Sequence, residues 1–274
     1  MELNIIGDDE VEILLRDLIE IYGYDFTDYS RASLKRRINR IVLIGKFPSF
    51  AELRYKLKFD PDFLKEFIEQ ITVNVTEMFR DPSFYKTLRE EVLPRLGTYP
   101  LIRIWHAGCS TGEEVYSMAI LLKEINLYHK CLIYATDINP TVLEKAMKGM
   151  FPLSQMRKYS ENYLLSGGKK EFSGYYSANY EFAKFDDALR EKMIFSTHNL
   201  VCDRSFNEFQ LILCRNVLIY FDKNLQARVF SLFDDSLENL GYLALGTKET
   251  LRFSPLAARF RQIINAEKIW RKIA

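Results

Sequence analysis

Apolar residues recur at helical spacing through the first quarter of the chain and at strand spacing in most of the remainder. A small helical domain ahead of an α/β domain is therefore predicted. Val11, Leu14, Leu15, Leu18 and Ile19 mark a first helix that Gly23 closes. Ser30 offers a cap for a second helix, with Leu34, Ile38, Ile41 and Val42 as its apolar stripe and Gly45 as its stop. A further helix from Phe63 should break at Thr72-Val73-Asn74-Val75-Thr76, because β-branched residues around an Asn make a poor helix interior. Asp81-Pro82 then suits a new helix start. These signals divide the chain into a helical domain over 1–72, a linker over 73–90 and an α/β domain over 91–274.

The α/β pattern opens with a strand at Leu101 to Trp105, a turn of small residues from Ala107 to Gly112, and a helix from Glu113 with Val115, Met118, Ala119 and Leu122 on one face. A second strand, Cys131 to Thr136, ends at Asp137, and a helix from Pro140 to about Met150 continues the parallel alternation. The alternation then fails over about 151–190, where glycines and tyrosines predict an inserted subdomain with a helix and a small antiparallel sheet, Tyr175 to Tyr180 being one strand. Strands resume at Met193 to Ser196 and Phe209 to Leu213. A helix from Lys223 to Asn239, a strand from Tyr242 to Leu245 and a short helix near Pro255 to Arg261 come next, with terminal strands near Ile263 and at Ala266 to Ile273.

Polar residues gather where these strands end: His106 to Gly112, Asp137, Asn199 and Arg215-Asn216. Open parallel sheets bind ligands at that edge, and an acid ending the second strand suits ribose hydroxyls. A dinucleotide is disfavoured, since Glu113 and Glu114 stand where a pyrophosphate would need an uncluttered helix N-terminus. S-adenosylmethionine, with its ammonium and sulfonium, suits two carboxylates there. The plainer alternatives are that both glutamates only favour the helix dipole and that Asp137 only caps a helix.

Composition narrows the class without changing the picture. The chain has 274 residues, is 48% hydrophobic with 20 Phe and 16 Tyr, and carries a formal charge of +1, so it is globular and any electrostatic argument is local. The acidic start MELNIIGDDEVE shows no signal peptide, and the run Leu211 to Phe221, broken by Arg215 and Asn216, is too short to span a bilayer. A soluble cytoplasmic protein without membrane insertion is expected. Cys109, Cys131, Cys202 and Cys214 lie far apart, and His106, His129 and His198 lack ligand spacing, so no metal is expected and each reads as a buried side chain in or beside a strand. Arg31, Lys35, Arg36, Arg37 and Arg40 make one basic face on the second helix. Such a face is often only solvated; as a single-sign surface it would suit an acidic helix or a nucleic acid.

Several stretches together carry a resemblance. N-V-T-E-M-F-R (Asn74 to Arg80), G-C-S-T-G-E-E (Gly108 to Glu114), A-T-D-I-N (Ala135 to Asn139), H-N-L (His198 to Leu200) and C-R-N-V-L-I-Y-F-D (Cys214 to Asp222) resemble the successive signatures of the CheR family. These are chemotaxis methyltransferases that esterify glutamates of chemoreceptors, and the resemblance covers nearly the whole chain. It implies a Rossmann-like class I methyltransferase sheet with an all-α N-terminal domain and a small antiparallel insertion. It further implies that Asn74, Thr76 and Arg80 close over S-adenosylmethionine, that Glu114 meets its amino end, and that Asp137 binds the ribose. Asn199 and Leu200 would lie against the adenine, with Cys214, Arg215 and Asn216 as the floor, and S-adenosylhomocysteine would be the product. Arg80 and Tyr220 would face the incoming glutamate. The sequence departs from the family at Val115, commonly Pro, at Gln210, often Asp, and in a longer insertion.

On this resemblance the basic face would dock the acidic methylation helices of a chemoreceptor, with the enzyme as a monomer. A nucleic-acid methyltransferase is the first rival, but neither an N-P-P-Y motif nor a Pro-Cys nucleophile occurs. A non-catalytic cofactor-binding module is the second, opposed by the presence of both Arg80 and Tyr220.

Overall fold

In the computed structural model, which describes residues 6–72 and 76–273, the chain divides into two units. One takes Met1–Asn74 with Ile219–Arg228, the other Val75–Leu218 with Val229–Ala274.

The first unit is helical: α1 (Asp8–Tyr22), α2 (Arg31–Gly45), α3 (Phe50–Phe59) and α4 (Pro61–Ile71). Gly23, at φ 74°, ends α1 and caps the carbonyls of Leu18 and Ile19. Gly45 is the last helical residue of α2 rather than its stop, and Lys46 takes the left-handed position at φ 52°. The Asp60 side chain caps α4 by accepting from the Asp62 and Phe63 N–H groups, and Pro61 fills the first position, where no N–H is needed. Leu14, Leu18, Leu34, Ile38, Phe67 and Ile71 form the core, each burial contributing about 1.5–3 kcal/mol.

The returning segment belongs to this same unit. Phe221 bridges to Tyr29 as an isolated strand pair, its ring 4.9 Å from the tyrosine ring. The Ser30 and Asp222 N–H groups donate to the Tyr220 and Asp28 carbonyls at 2.8 and 3.0 Å.

The second unit begins with α5 (Pro82–Thr87), which runs on through a wide turn at Leu88–Val92 into α6 (Leu93–Leu96). It then alternates β1 (Ile102–Ala107), α7 (Glu113–Glu124), β2 (Cys131–Asp137) and α8 (Pro140–Lys148). The insertion follows as β3 (Met150–Pro152), α9 (Met156–Leu165), β4 (Tyr176–Asn179) and β5 (Phe182–Phe185), an antiparallel sheet ordered β3-β5-β4. The strands β6 (Met193–Thr197) and β7 (Phe209–Cys214), the helix α10 (Lys223–Ser236), and the strands β8 (Leu237–Leu245), β9 (Phe260–Ile264) and β10 (Ile269–Lys272) complete the chain.

The main sheet has seven strands in the order β6-β2-β1-β7-β8-β10-β9. From β6 to β8 the pairing is parallel, and β10 and β9 close the edge antiparallel. Strand order reverses direction between β1 and β7, so the carboxyl ends of those strands flank the crevice where such sheets take ligands. Alternation along β1 places Ile102, Ile104 and His106 on one face and Trp105 on the other. Trp105 stacks on Phe209 at 5.2 Å and meets Phe206 and Phe233 edge-on.

Two elements depart from the sequence reading. α10 stops at Ser236 and β8 starts at Leu237, where its register with β7 shifts and Leu240 adopts φ 69°. The helix expected near Pro255 is only a short turn at Ala257–Arg259. Cys109, Cys131 and Cys214 are buried, with burial pushing the Cys131 thiol up to about 12, whereas Cys202 lies exposed in the loop after β6. Among the described residues no helix is long and apolar enough to cross a membrane.

Candidate cofactor site

The turn from β1 into α7 is built for close backbone approach. Gly108 and Gly112 have φ 82° and 97°, and a Cβ would stand 2.6 Å from Val217 Cγ2 at the first and 2.9 Å from Ala146 Cβ at the second. The Gly108 and Cys109 N–H groups both donate to the Thr136 carbonyl, fastening the turn to the end of β2. Asp137 completes the join, its Oδ2 accepting the Ser110 N–H at 2.9 Å and its Oδ1 the Asn139 N–H at 3.0 Å. Burial pushes the Asp137 carboxyl up, opposed by these backbone hydrogen bonds. Each oxygen keeps a further lone pair for a ligand hydroxyl.

The paired glutamates point to different surroundings. Glu113 is buried and accepts from the Thr111 hydroxyl at 2.6 Å, and burial pushes it up to about 7. Glu114 Oε1 meets His106 Nδ1 at 2.9 Å and Oε2 meets Arg215 Nη1 at 3.3 Å. Burial raises the Glu114 carboxyl, but the His106 ring and the Arg215 guanidinium outweigh it and hold the group below the usual glutamate range. Its side chain keeps 18% of its surface open, against 2% for Arg215, so Glu114 is the member of this pair that a ligand can reach.

Arg215 is the hub. Its Nη2 donates to Asp81 Oδ2 at 2.6 Å, its Nη1 lies 3.5 Å from the Arg80 carbonyl, and its guanidinium sits 3.9 Å above the Phe84 ring. The segment before α5 is thereby tied to the end of β7. Met78 and Phe79 are fully buried in it; Asn162 donates to the Met78 carbonyl, and the Phe79 N–H donates to Ser117 Oγ at 2.9 Å. Phe79 and Asp81 adopt φ 51° and 58° on either side of Arg80, a conformation costly for residues other than glycine and common where a side chain must be aimed. Thr76 and Arg80 are half-exposed. Asn74 lies outside the described residues.

The loop after β6 hangs from β2, since the His198 N–H donates to the Asp137 carbonyl at 3.1 Å. This brings Asn199 and Leu200 to the strand end that carries Asp137. Asn199 Oδ1 accepts from the Val201 N–H, and Leu200 is 9% exposed. After β7, Cys214 is buried and Asn216 adopts φ 62°. Glu249 fixes that turn by accepting the Asn216 and Gly246 N–H groups at 3.0 and 2.6 Å.

Tyr220 belongs to the helical unit, where the Arg37 guanidinium lies 4.7 Å from its ring centroid. The basic face expected on α2 is relieved by α1: Arg31 pairs with Glu12 at 2.9 Å and Lys35 with Asp8 at 2.6 Å. Arg37 turns toward the Ile71 carbonyl and Ser33, leaving Arg36 and Arg40 exposed beside Leu43 and Ile44.

Sequence reasoning therefore named Glu114, Asp137 and Arg215 as site residues but gave no site role to His106, placed only among the polar strand ends, to Asp81, read only as a helix start, or to Glu249. A histidine inside an apolar strand was a signal for the first, because buried polar residues are the informative ones. Glu249 carried none.

The donor set fits S-adenosylmethionine. A carboxylate beside a guanidinium matches an amino-acid zwitterion, Asp137 has acceptor capacity for ribose hydroxyls, and Ser110 Oγ in the glycine turn is buried with no hydrogen-bond partner among the described residues. Comparison with known proteins agrees. The family model described as CheR methyltransferase, SAM binding domain, matches residues 74–266, and that described as CheR methyltransferase, all-alpha domain, matches residues 9–72. A Cher3 methyltransferase of Pseudomonas putida is 45% identical over 265 residues, 97% of each chain. Chemotaxis protein methyltransferases of Listeria innocua and Borreliella burgdorferi are 34% and 30% identical, covering 87% and 91% of both chains.

Proposed function

The chain belongs to the CheR methyltransferase family, and from that premise we propose that it methylates glutamate side-chain carboxylates of chemoreceptors to glutamyl methyl esters. It is an S-adenosylmethionine-dependent methyltransferase. The observation that carries the reading is Glu114, held on one oxygen by His106 and on the other by Arg215 while part of its surface stays open. Its relatives named as chemotaxis protein methyltransferases support a receptor as the acceptor.

S-adenosylmethionine supplies an electrophilic methyl group when bound. Glu114 and Arg215 are assigned its methionine end and Asp137 its ribose, while Thr76, with Asn74 outside the described residues, is assigned to cover it. Asn199 and Leu200 are assigned the adenine, with Cys214 and Asn216 lining the floor. A glutamate side chain, with an unperturbed pKa of about 4.3, is already ionised at neutral pH, so its methylation needs no general base. The protein's work is alignment and exclusion of water. Arg80 orients the acceptor carboxylate through paired N–H groups, close enough to position it without neutralising it. Tyr220, in the helical unit, is assigned to the acceptor by the family resemblance alone.

Arg36 and Arg40, with Arg31, Lys35 and Arg37 around them on α2, are assigned to the acidic methylation helices of the receptor. The apolar Leu43 and Ile44 lie exposed along the same helix. Attraction of this kind weakens with salt.

Incubation with methyl-labelled S-adenosylmethionine and a receptor cytoplasmic fragment tests the reading. Label on the fragment that is released by mild alkali as methanol is expected, as an ester requires. Alkali-stable label, or label transferred to nucleic acid instead, would overturn it.

A further inference from the structure

His106 is the one wholly inaccessible polar side chain on β1, the strand that leads into the glycine turn. Its Nδ1 faces Glu114 Oε1 at 2.9 Å, and Nε2 has no hydrogen-bond partner among the described residues. A carboxylate only accepts, so Nδ1 carries the proton. The other Glu114 oxygen is 3.3 Å from Arg215, long for a charge-assisted bond, which ordinarily closes to about 2.7–2.9 Å. Arg215 spends its short bond on Asp81 instead, at 2.6 Å. Glu114 is thus kept from collapsing onto Arg215 as a closed ion pair.

We propose that His106 is a positioning residue for cofactor recognition: its Nδ1–H holds the Glu114 carboxylate so that the oxygen turned to Arg215 also receives the ammonium group of S-adenosylmethionine. Without that hydrogen bond Glu114 would swing to a bidentate contact with Arg215, and its charge would be spent inside the protein. The role is independent of which molecule accepts the methyl group, so it can fail while the receptor assignment stands, and the reverse.

Calorimetry with two ligands tests it. S-adenosylhomocysteine carries the amino-acid end, and 5′-methylthioadenosine keeps the nucleoside but lacks that end. His106→Ala should weaken S-adenosylhomocysteine by about tenfold or more, the scale of one charge-assisted hydrogen bond, and leave methylthioadenosine unchanged. His106→Asn, whose amide can place a donor where Nδ1 stands, should recover affinity to within about threefold. Equal losses for both ligands, or no loss for either, would overturn the proposal. Should the alanine variant not fold, nitrogen-15 spectra of the wild-type protein decide, since the chain has only three histidines. A protonated Nδ1 whose resonance moves with S-adenosylhomocysteine but not with methylthioadenosine supports the role; a resonance indifferent to both refutes it.

Discussion

Asp81 and Arg215 are joined by a 2.6 Å hydrogen bond across 134 residues of sequence. The bond sets the segment that carries Thr76 and Arg80 against the end of the strand that carries Cys214. One guanidinium thus joins the end of β7 to the stretch proposed to cover the cofactor.

Arg215→Lys should therefore be costly although the charge is kept. An ammonium cannot reach Asp81 and Glu114 together as a planar fork does, and an unpaired buried charge costs about 3–5 kcal/mol. Calorimetry should show S-adenosylhomocysteine binding weakened by about tenfold or more, and melting should show lower stability. Wild-type affinity in the lysine variant would contradict the hub role.

Arg80→Ala should separate chemistry from binding. Turnover on a receptor fragment should fall to a small residue of the wild-type rate while S-adenosylhomocysteine still binds measurably. Full turnover in the variant would remove Arg80 from the acceptor site.

Glu113 gives a pH signature. Burial raises its carboxyl from 4.5 to about 7, so between those values the native protein holds a proton that the unfolded chain has released. Stability should fall as pH rises through that window and level off above it. Urea unfolding of Glu113→Gln against wild type should show the variant gaining about 3 kcal/mol, relative to wild type, from pH 5 to pH 8. A pH-independent difference between the two proteins would show that Glu113 titrates normally.

Gly108→Ala should injure the turn. At φ 82°, with Val217 Cγ2 2.6 Å from the added Cβ, the substitution meets both backbone strain and a clash. A loss of about 1–3 kcal/mol is expected, read by thermal melting, with weaker S-adenosylhomocysteine binding.

Receptor docking can be probed on α2. The double variant Arg36→Glu with Arg40→Glu should bind a receptor methylation fragment at least about tenfold more weakly at low salt, with a smaller deficit at high salt. A deficit indifferent to salt would argue against an electrostatic surface.

The βαβ unit was legible because its chemistry is local. Glycines at 108 and 112, an acid directly after a strand and a small antiparallel insertion rich in tyrosine each declare themselves within a few residues. The Arg215 tie was not legible, since nothing near Arg215 announces a partner before α5. Periodicity likewise placed five cations on one helix, but the acids that take up Arg31 and Lys35 come from α1, and a helical wheel of α2 alone cannot show them. The start of β8 at Leu237 was masked because Leu237 to Gly241 alternates poorly; pairing with β7 decides it, not the local pattern.

The return of Ile219–Arg228 to the helical unit bears on how the molecule is made and on how its gene can be rearranged. A ribosome finishes α1 to α4 long before it reaches Phe221, so Tyr29 emerges without the ring that will cover it, and the first unit is completed only after most of the second has been made. For the same reason, grafting a relative's N-terminal part onto this chain at a single seam would leave Phe221 facing a stranger's residue in place of Tyr29. A working hybrid has to carry both stretches across together.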